Sequence, residues 1–290
     1  MTRRLLLLFP VAAALALVIA LAVRHPLAPP AAPQRFAMGR GSTIVLLHGP
    51  GSSVQHWLPT ARRLAGSHHV VLVELPGHGL SPLSEPVTLE RAAEALHLAL
   101  EAESKEPVVL VGHGVGGLVA AIEALEHPER VRALVLVETA LRPQTVGEQR
   151  GEMLKALDLD YQRLLREIYT AYGRDSAQGA KLYAQAAKMD PATIKPWLRL
   201  ELFADVSLRM RHLRPPLLAI FSERLWPREQ SWEAAAQPLG YSEVPSPRTA
   251  RIEDCGHFLM LDRPEEIARL IRHFADDSSR GPVAARATAR

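Results

Sequence analysis

Short apolar runs rich in branched residues alternate along this chain with segments whose apolar residues recur every three or four positions. STIVLL (42–47), HVVLVEL (69–75), PVVLVG (107–112), VRALVLVET (131–139) and PPLLAIFS (215–222) read as strands, with a short sixth at 248–253. Runs this uniformly apolar belong to strands covered on both faces. Helical spacing falls at 54–65, where Trp57, Leu58 and Leu64 share a face, and at 88–103, where Leu89, Ala92, Ala93, Leu96 and Leu100 form one stripe. It recurs at 115–126 and 263–275. The alternation predicts an α/β fold with a mostly parallel, doubly wound sheet, whose ligands would sit at the carboxyl ends of the strands.

Residues 142–212 break the alternation. They hold no strand run, and MLKALDLDYQRLLREIYTAY is amphipathic with helical spacing. This stretch is predicted to be a helical cap inserted over the strand ends.

The ends differ from the body. Residues 5–23 are apolar and free of charge, follow Arg3 and Arg4, and precede a proline-rich stretch, HPLAPPAAPQ. A run of this length can cross a bilayer as a helix. Its length favours an uncleaved signal anchor over a cleaved signal peptide, for which Ala20-Leu21-Ala22 would be the processing site. Either reading puts the body outside the cytoplasm, periplasmic or extracellular, on a membrane held by residues 5–23 or secreted after cleavage. The expected division is an anchor or signal at 1–24, an extended linker at 25–40, a body at 41–278 and a disordered tail at 279–290.

Charge adds one exclusion. The chain carries 34 basic and 31 acidic side chains, yet Arg3, Arg4, Arg24, Arg280, Arg286 and Arg290 sit in the two ends. The body is therefore slightly acidic, and no basic cluster suggests a nucleic-acid partner. The single cysteine, Cys255, excludes an intrachain disulfide. No His/Asp/Glu set shows metal-ligand spacing and no glycine loop matches a phosphate cradle, so neither metal nor cofactor is expected.

Five motifs in order carry a resemblance. They are LLHGPGSS followed by Trp57, VELPGHGLS, VGHGVGG, PPLLAIFSERLWP and DCGHFLMLDRPEE. Together they resemble the cap-bearing, esterase and epoxide-hydrolase-like branch of the α/β-hydrolase superfamily over residues 41–276. The resemblance implies a nucleophile on a strained strand-to-helix turn, a later histidine base with an orienting carboxylate, and backbone N–H groups for the oxyanion. The nucleophile position is Gly114, and the acid position after the fifth strand is Leu225. The histidine is kept as His257. In the turn His48-Gly49-Pro50-Gly51, Pro50 stands where an oxyanion donor is expected and has no N–H. Gly51 would be its substitute, and Val115 is the second donor.

These losses lead to the expectation of a non-catalytic binder of a small hydrophobic, ester-like ligand or of a protein partner. The alternative is an enzyme with His257 as base and Glu138, at the end of the fourth strand, as orienting acid. It would hydrolyse esters with activated water or perform cofactor-free lyase or oxygenase chemistry. Cys255, Ser52 and Ser53 are weaker candidates for a displaced nucleophile. Met153, Leu157, Tyr169, Tyr172, Trp197 and Phe203 are candidate cap residues for an apolar lining. The sequence leaves the oligomeric state open.

Overall fold

The computed structural model describes residues 28–279. The chain divides after Pro30, and the folded body begins at Ala31. The proposed anchor at 5–23 and all but the first residue of the proposed tail lie outside the described residues. Among the described residues no helix is long and apolar enough to cross a membrane.

Among the described residues seven strands form one sheet: β1 (Arg35–Met38), β2 (Thr43–Leu47), β3 (His69–Val73), β4 (Val108–His113), β5 (Val131–Val137), β6 (Leu217–Ser222) and β7 (Arg248–Ile252). Their spatial order is β1-β3-β2-β4-β5-β6-β7. All pairings are parallel except that of β1 with β3. The antiparallel β1 occupies residues assigned above to the linker. Its exposed centre, Phe36 and Ala37, marks an edge strand that lacks the apolar run used to recognise the others.

The helices are α1 (Leu58–Leu64), α2 (Leu89–Glu103), α3 (Val115–Glu126), α4 (Gly147–Leu159), α5 (Tyr161–Tyr172), α6 (Ser176–Ala186), α7 (Pro191–Phe203), α8 (Trp232–Leu239), α9 (Leu259–Asp262) and α10 (Pro264–Ser279). The segment predicted as one helix over 54–65 is a 3-10 turn, Val54–Trp57, that leads into α1. Helix α8 was not anticipated. Ser279 ends α10 rather than opening a tail.

Alternation along the strands divides the core into two layers. Val45, Val71, Leu110 and Leu134 face α2, α3 and α8, whereas Ile44, Leu72, Val109 and Val135 face α1 and α10. Each of these side chains is fully buried, which contributes about 1.5–3 kcal/mol apiece relative to exposure. Helices α4–α7 form the cap between β5 and β6, as the broken periodicity predicts.

From β2 the chain passes to β3 on one side and then crosses to β4 on the other. That reversal opens a crevice at the carboxyl ends of β2 and β4, where sheets of this kind bind ligands. The crossing from β4 into α3 is tight. A Cβ on Gly112 would fall within the van der Waals radii of the Gly116 carbonyl and the Gly117 Cα, both backbone atoms that cannot swing aside. Gly112→Ala is expected to destabilise the protein by about 1–3 kcal/mol in chemical denaturation, through overpacking. Gly66→Ala, where an added Cβ meets nothing within 4 Å, serves as the control and should stay within about 0.5 kcal/mol.

Candidate active site

The turn between β4 and α3 keeps the backbone of a nucleophile elbow without the nucleophile. Gly114 has φ 54° and ψ −128°, a conformation that strains any residue with a side chain. Its N–H donates to the Val137 carbonyl at 3.1 Å, and its carbonyl accepts from the Thr139 hydroxyl at 3.2 Å. The turn is thus fixed from β5 and needs nothing from a side chain at 114.

His257 follows β7 and precedes α9, and it is buried. Its N–H donates to the Tyr172 carbonyl at 2.9 Å, and its own carbonyl lies 3.0 Å from His113 Nε2. The Tyr172 ring stacks on the imidazole at 3.9 Å. The ring is therefore held from the cap on one side and from the elbow strand on the other. Its Nδ1 lies 3.1 Å from Glu138 Oε2.

Glu138 stands one residue beyond β5 at φ 49°, a strained conformation for a residue with a side chain. Its Oε1 accepts from the Ser222 N–H, so β6 holds the carboxylate that orients the histidine. Burial raises the Glu138 carboxyl to about 7, although the Ser222 hydrogen bonds pull it back down. Burial also lowers His257 well below its usual value, with a smaller push from Arg224. Leu225, which stands where the acid was expected, lines the same cavity without offering a carboxylate.

One cavity of about 340 Å3 joins these groups. Gly114, Glu138 and His257 lie along it, Leu118, Leu164, Ile168 and Leu202 are among its apolar lining, and Arg224 and Glu167 are among its polar lining. Of the cap residues suggested above, Met153 and Tyr172 line it. Leu157, Tyr169 and Trp197 are core instead, and Phe203 packs against the core.

The notch over Gly114 is filled from the cap. A Cβ at Gly114 would meet Glu201 Oε1 at 2.9 Å and Oε2 at 3.0 Å. Glu201 lies on α7, in the cavity wall, and its carboxyl is held by the Val115 N–H. Among the described residues its Oε2 has no hydrogen-bond partner. Burial raises this carboxyl to about 8, opposed by the Val115 hydrogen bond. No pattern in the chain points to Glu201. It stands 87 positions after Gly114, in no motif, and an amphipathic reading of the cap treats a glutamate as solvent-facing.

The other half of the expected oxyanion site is closed. The Gly51 N–H donates to His78 Nε2 at 3.2 Å, so it does not replace the donor that Pro50 lacks. The Tyr169 hydroxyl donates to the Pro50 carbonyl. Of the turn's other residues, His48 contacts the Gly49 carbonyl through Nδ1 at 2.7 Å and accepts from the Leu75 N–H through Nε2 at 3.2 Å, a backbone-fixing role. A Cβ on Gly49 would crowd His113 Nδ1.

The displaced nucleophiles fare no better. Ser52 is hydrogen-bonded to His56, and Ser53 accepts from Gln185. Neither serine lines the cavity. Burial and nearby carboxylates push the Cys255 thiol up to about 12, which leaves it protonated and unreactive.

The sheet order, the elbow and the histidine–carboxylate pair define an α/β hydrolase. The sequence profile of the alpha/beta hydrolase family matches residues 44–270, and the chain belongs to that family. It is 31% identical over 258 residues to the pimeloyl-[acyl-carrier protein] methyl ester esterase of Aeromonas hydrophila subsp. hydrophila, covering 83% of this chain and 97% of that protein. The enzyme of the same name from Vibrio cholerae serotype O1 is 33% identical over 197 residues, 63% of this chain and 76% of that one. Among solved structures, a hydrolase from Oleispira antarctica matches with a TM-score of 0.73 at 20% identity, covering 84% of this chain and 95% of that chain. A thermophilic esterase from Thermogutta terrifontis matches at 0.70 and 20%, covering 84% and 93%.

These relatives overturn the expectation of a non-catalytic binder. Proteins named as active esterases align with nearly the whole body, which favours an active hydrolase over a pseudoenzyme. The physical reason for the misreading is Glu201. An empty nucleophile position suggested an idle site, whereas the structure fills that position with a carboxyl.

The geometry predicts how a serine could be restored. Gly114→Ser alone is expected to stay unlabelled by a fluorophosphonate, because the Glu201 carboxyl crowds the new Cβ. Gly114→Ser with Glu201→Ala should label covalently, as read by intact-protein mass spectrometry. Adding Leu225→Asp should bring no further gain, since Glu138 already reaches His257.

Proposed function

We propose that this protein hydrolyses carboxylic esters with water as the nucleophile. The observation that carries the reading is the Glu201 carboxyl over Gly114, facing the cavity shared with the His257–Glu138 pair. His257 Nδ1 is committed to Glu138, so Nε2 is the basic atom. It takes a proton from water as the water oxygen bonds to the acyl carbon. The imidazolium then returns that proton to the leaving alkoxide as the tetrahedral intermediate collapses to acid and alcohol.

Glu201 supplies the oxyanion donor. A carboxyl raised to about 8 is protonated at neutral pH and can donate a hydrogen bond while its other oxygen accepts from the Val115 N–H. It thus stands in for the whole oxyanion site, since Pro50 has no N–H and the Val115 N–H is spent on Glu201 itself. The apolar cavity wall supports a neutral acyl group of modest length. The uncharged run at residues 5–23 supports placing this activity outside the cytoplasm, on a membrane anchor.

Two ionisations frame the pH dependence. Glu138 must be ionised to hold the Nδ1–H tautomer of His257, and its carboxyl titrates at about 7. Glu201 must keep its proton, which it loses at about 8. The kcat/KM for a short acyl ester should therefore rise through about pH 7 and fall above about pH 8. Glu201→Gln, a permanently neutral donor, should keep activity within about tenfold and abolish the alkaline limb. Glu201→Ala should cost about 10²–10³. His257→Ala should cost about 10²–10⁴. An inactive Glu201→Gln would show that the carboxylate is required and overturn the neutral-donor role, and one that retains the alkaline limb would assign that ionisation to another group. Turnover unchanged in His257→Ala would sink the hydrolytic reading itself.

A further inference from the structure

A second cluster of ligating side chains lies away from the cavity, where α2 packs on α3. Glu123 and His127 are four residues apart at the end of α3, so one helical face carries both. His97, near the middle of α2, meets them from the neighbouring helix. Its Nδ1 lies 2.8 Å from Glu123 Oε1, and its ring lies against that of His127 at 3.8 Å. One ligand atom from each of the three residues falls within 4.8 Å of the others. The sequence spacing above suggested no such set, because its members come from two helices.

We propose that His97, Glu123 and His127 bind a divalent transition-metal ion of the zinc class, which ties the two helices together. The Glu123 side chain is fully buried, and its Oε2 has no hydrogen-bond partner among the described residues. An unpaired carboxylate oxygen in the interior is costly, and a cation would satisfy it.

The surroundings suit a cation. Glu101 lies 3.8 Å from His97 Nε2, and Glu129 lies 3.7 Å from His127 Nδ1. Arg130 opposes, but its guanidinium is tied to the carbonyls of Leu100 and Ser104. The C-terminal end of α3 adds the negative pole of the helix. Two imidazoles with one carboxylate favour zinc over magnesium or calcium and leave a position for water or Glu101. Helix α3 runs about 18 Å from the elbow to this cluster, at 1.5 Å per residue, so the ion would stiffen the helix rather than touch substrate.

The test uses full-length protein stripped with a chelator and titrated with zinc chloride by calorimetry. One equivalent should bind to the wild type. His127→Ala, a half-exposed change that leaves the His97–Glu123 contact in place, should weaken binding at least tenfold. The His97→Ala/His127→Ala variant should abolish it while retaining a wild-type circular dichroism spectrum. Cobalt should give visible absorption bands in the wild type that the double variant lacks, and magnesium should not compete. Equal zinc affinity in the wild type and the double variant, or binding lost only in His257→Ala, would overturn the site and place the ion elsewhere.

Discussion

The contact between the Glu201 carboxyl and the backbone of the β4–α3 turn is the constraint on which the rest of the site depends. Gly114 can hold φ 54° cheaply only because it has no side chain, and the absence of that side chain leaves space at the N-terminus of α3, the positive pole of that helix. The start of α3 presents an N–H, at Val115, to that space. An acidic group from the cap is the natural occupant. Glu201 therefore couples the seating of α7 to the electrostatics of the sheet's carboxyl edge. Here the cap contributes a group to the centre itself.

The second feature is the distribution of strain and compensation around Glu138. A non-glycine residue at φ 49° costs about 1–3 kcal/mol. The carboxylate offsets this by accepting from the Ser222 N–H with one oxygen and facing His257 with the other. The conformation places the acid on β5 rather than β6. That placement explains why Leu225 can line the cavity as an apolar residue without disabling the histidine.

Much of the fold was legible because the strands are apolar along their whole length and the cap interrupts the alternation. The edge strand Arg35–Met38 was not legible, since a solvent-exposed antiparallel edge has no such run. Helix α8 was obscured by its short length and by Pro238 within it. In the site, Gly114, Leu225 and His257 could be located because each stands at a fixed offset in a motif. Glu201 could not be located this way, because it reaches the centre through the packing of α7. The same holds for His97 with Glu123 and His127: helix periodicity joins the last two, and only the docking of α2 brings in the first. Sequence motifs capture groups positioned by one turn, whereas groups positioned by two packed elements need the tertiary structure.

The departures from a serine hydrolase are physically coupled. Pro50 removes one oxyanion N–H, His78 takes the next, at Gly51, and the Tyr169 hydroxyl binds the Pro50 carbonyl. Each change closes the β2 side of the crevice. A serine at 114 would then attack a carbonyl with only the Val115 N–H to stabilise the charge, at a cost of about 10²–10³ for the missing donor. A carboxyl placed from the cap occupies the volume the serine would need and, in the proposed mechanism, replaces that donor. Once it is in place, a serine would have to displace that carboxyl before it could act. Gly114 is then the residue that admits the Glu201 carboxyl, and its missing side chain belongs to the working geometry of the site.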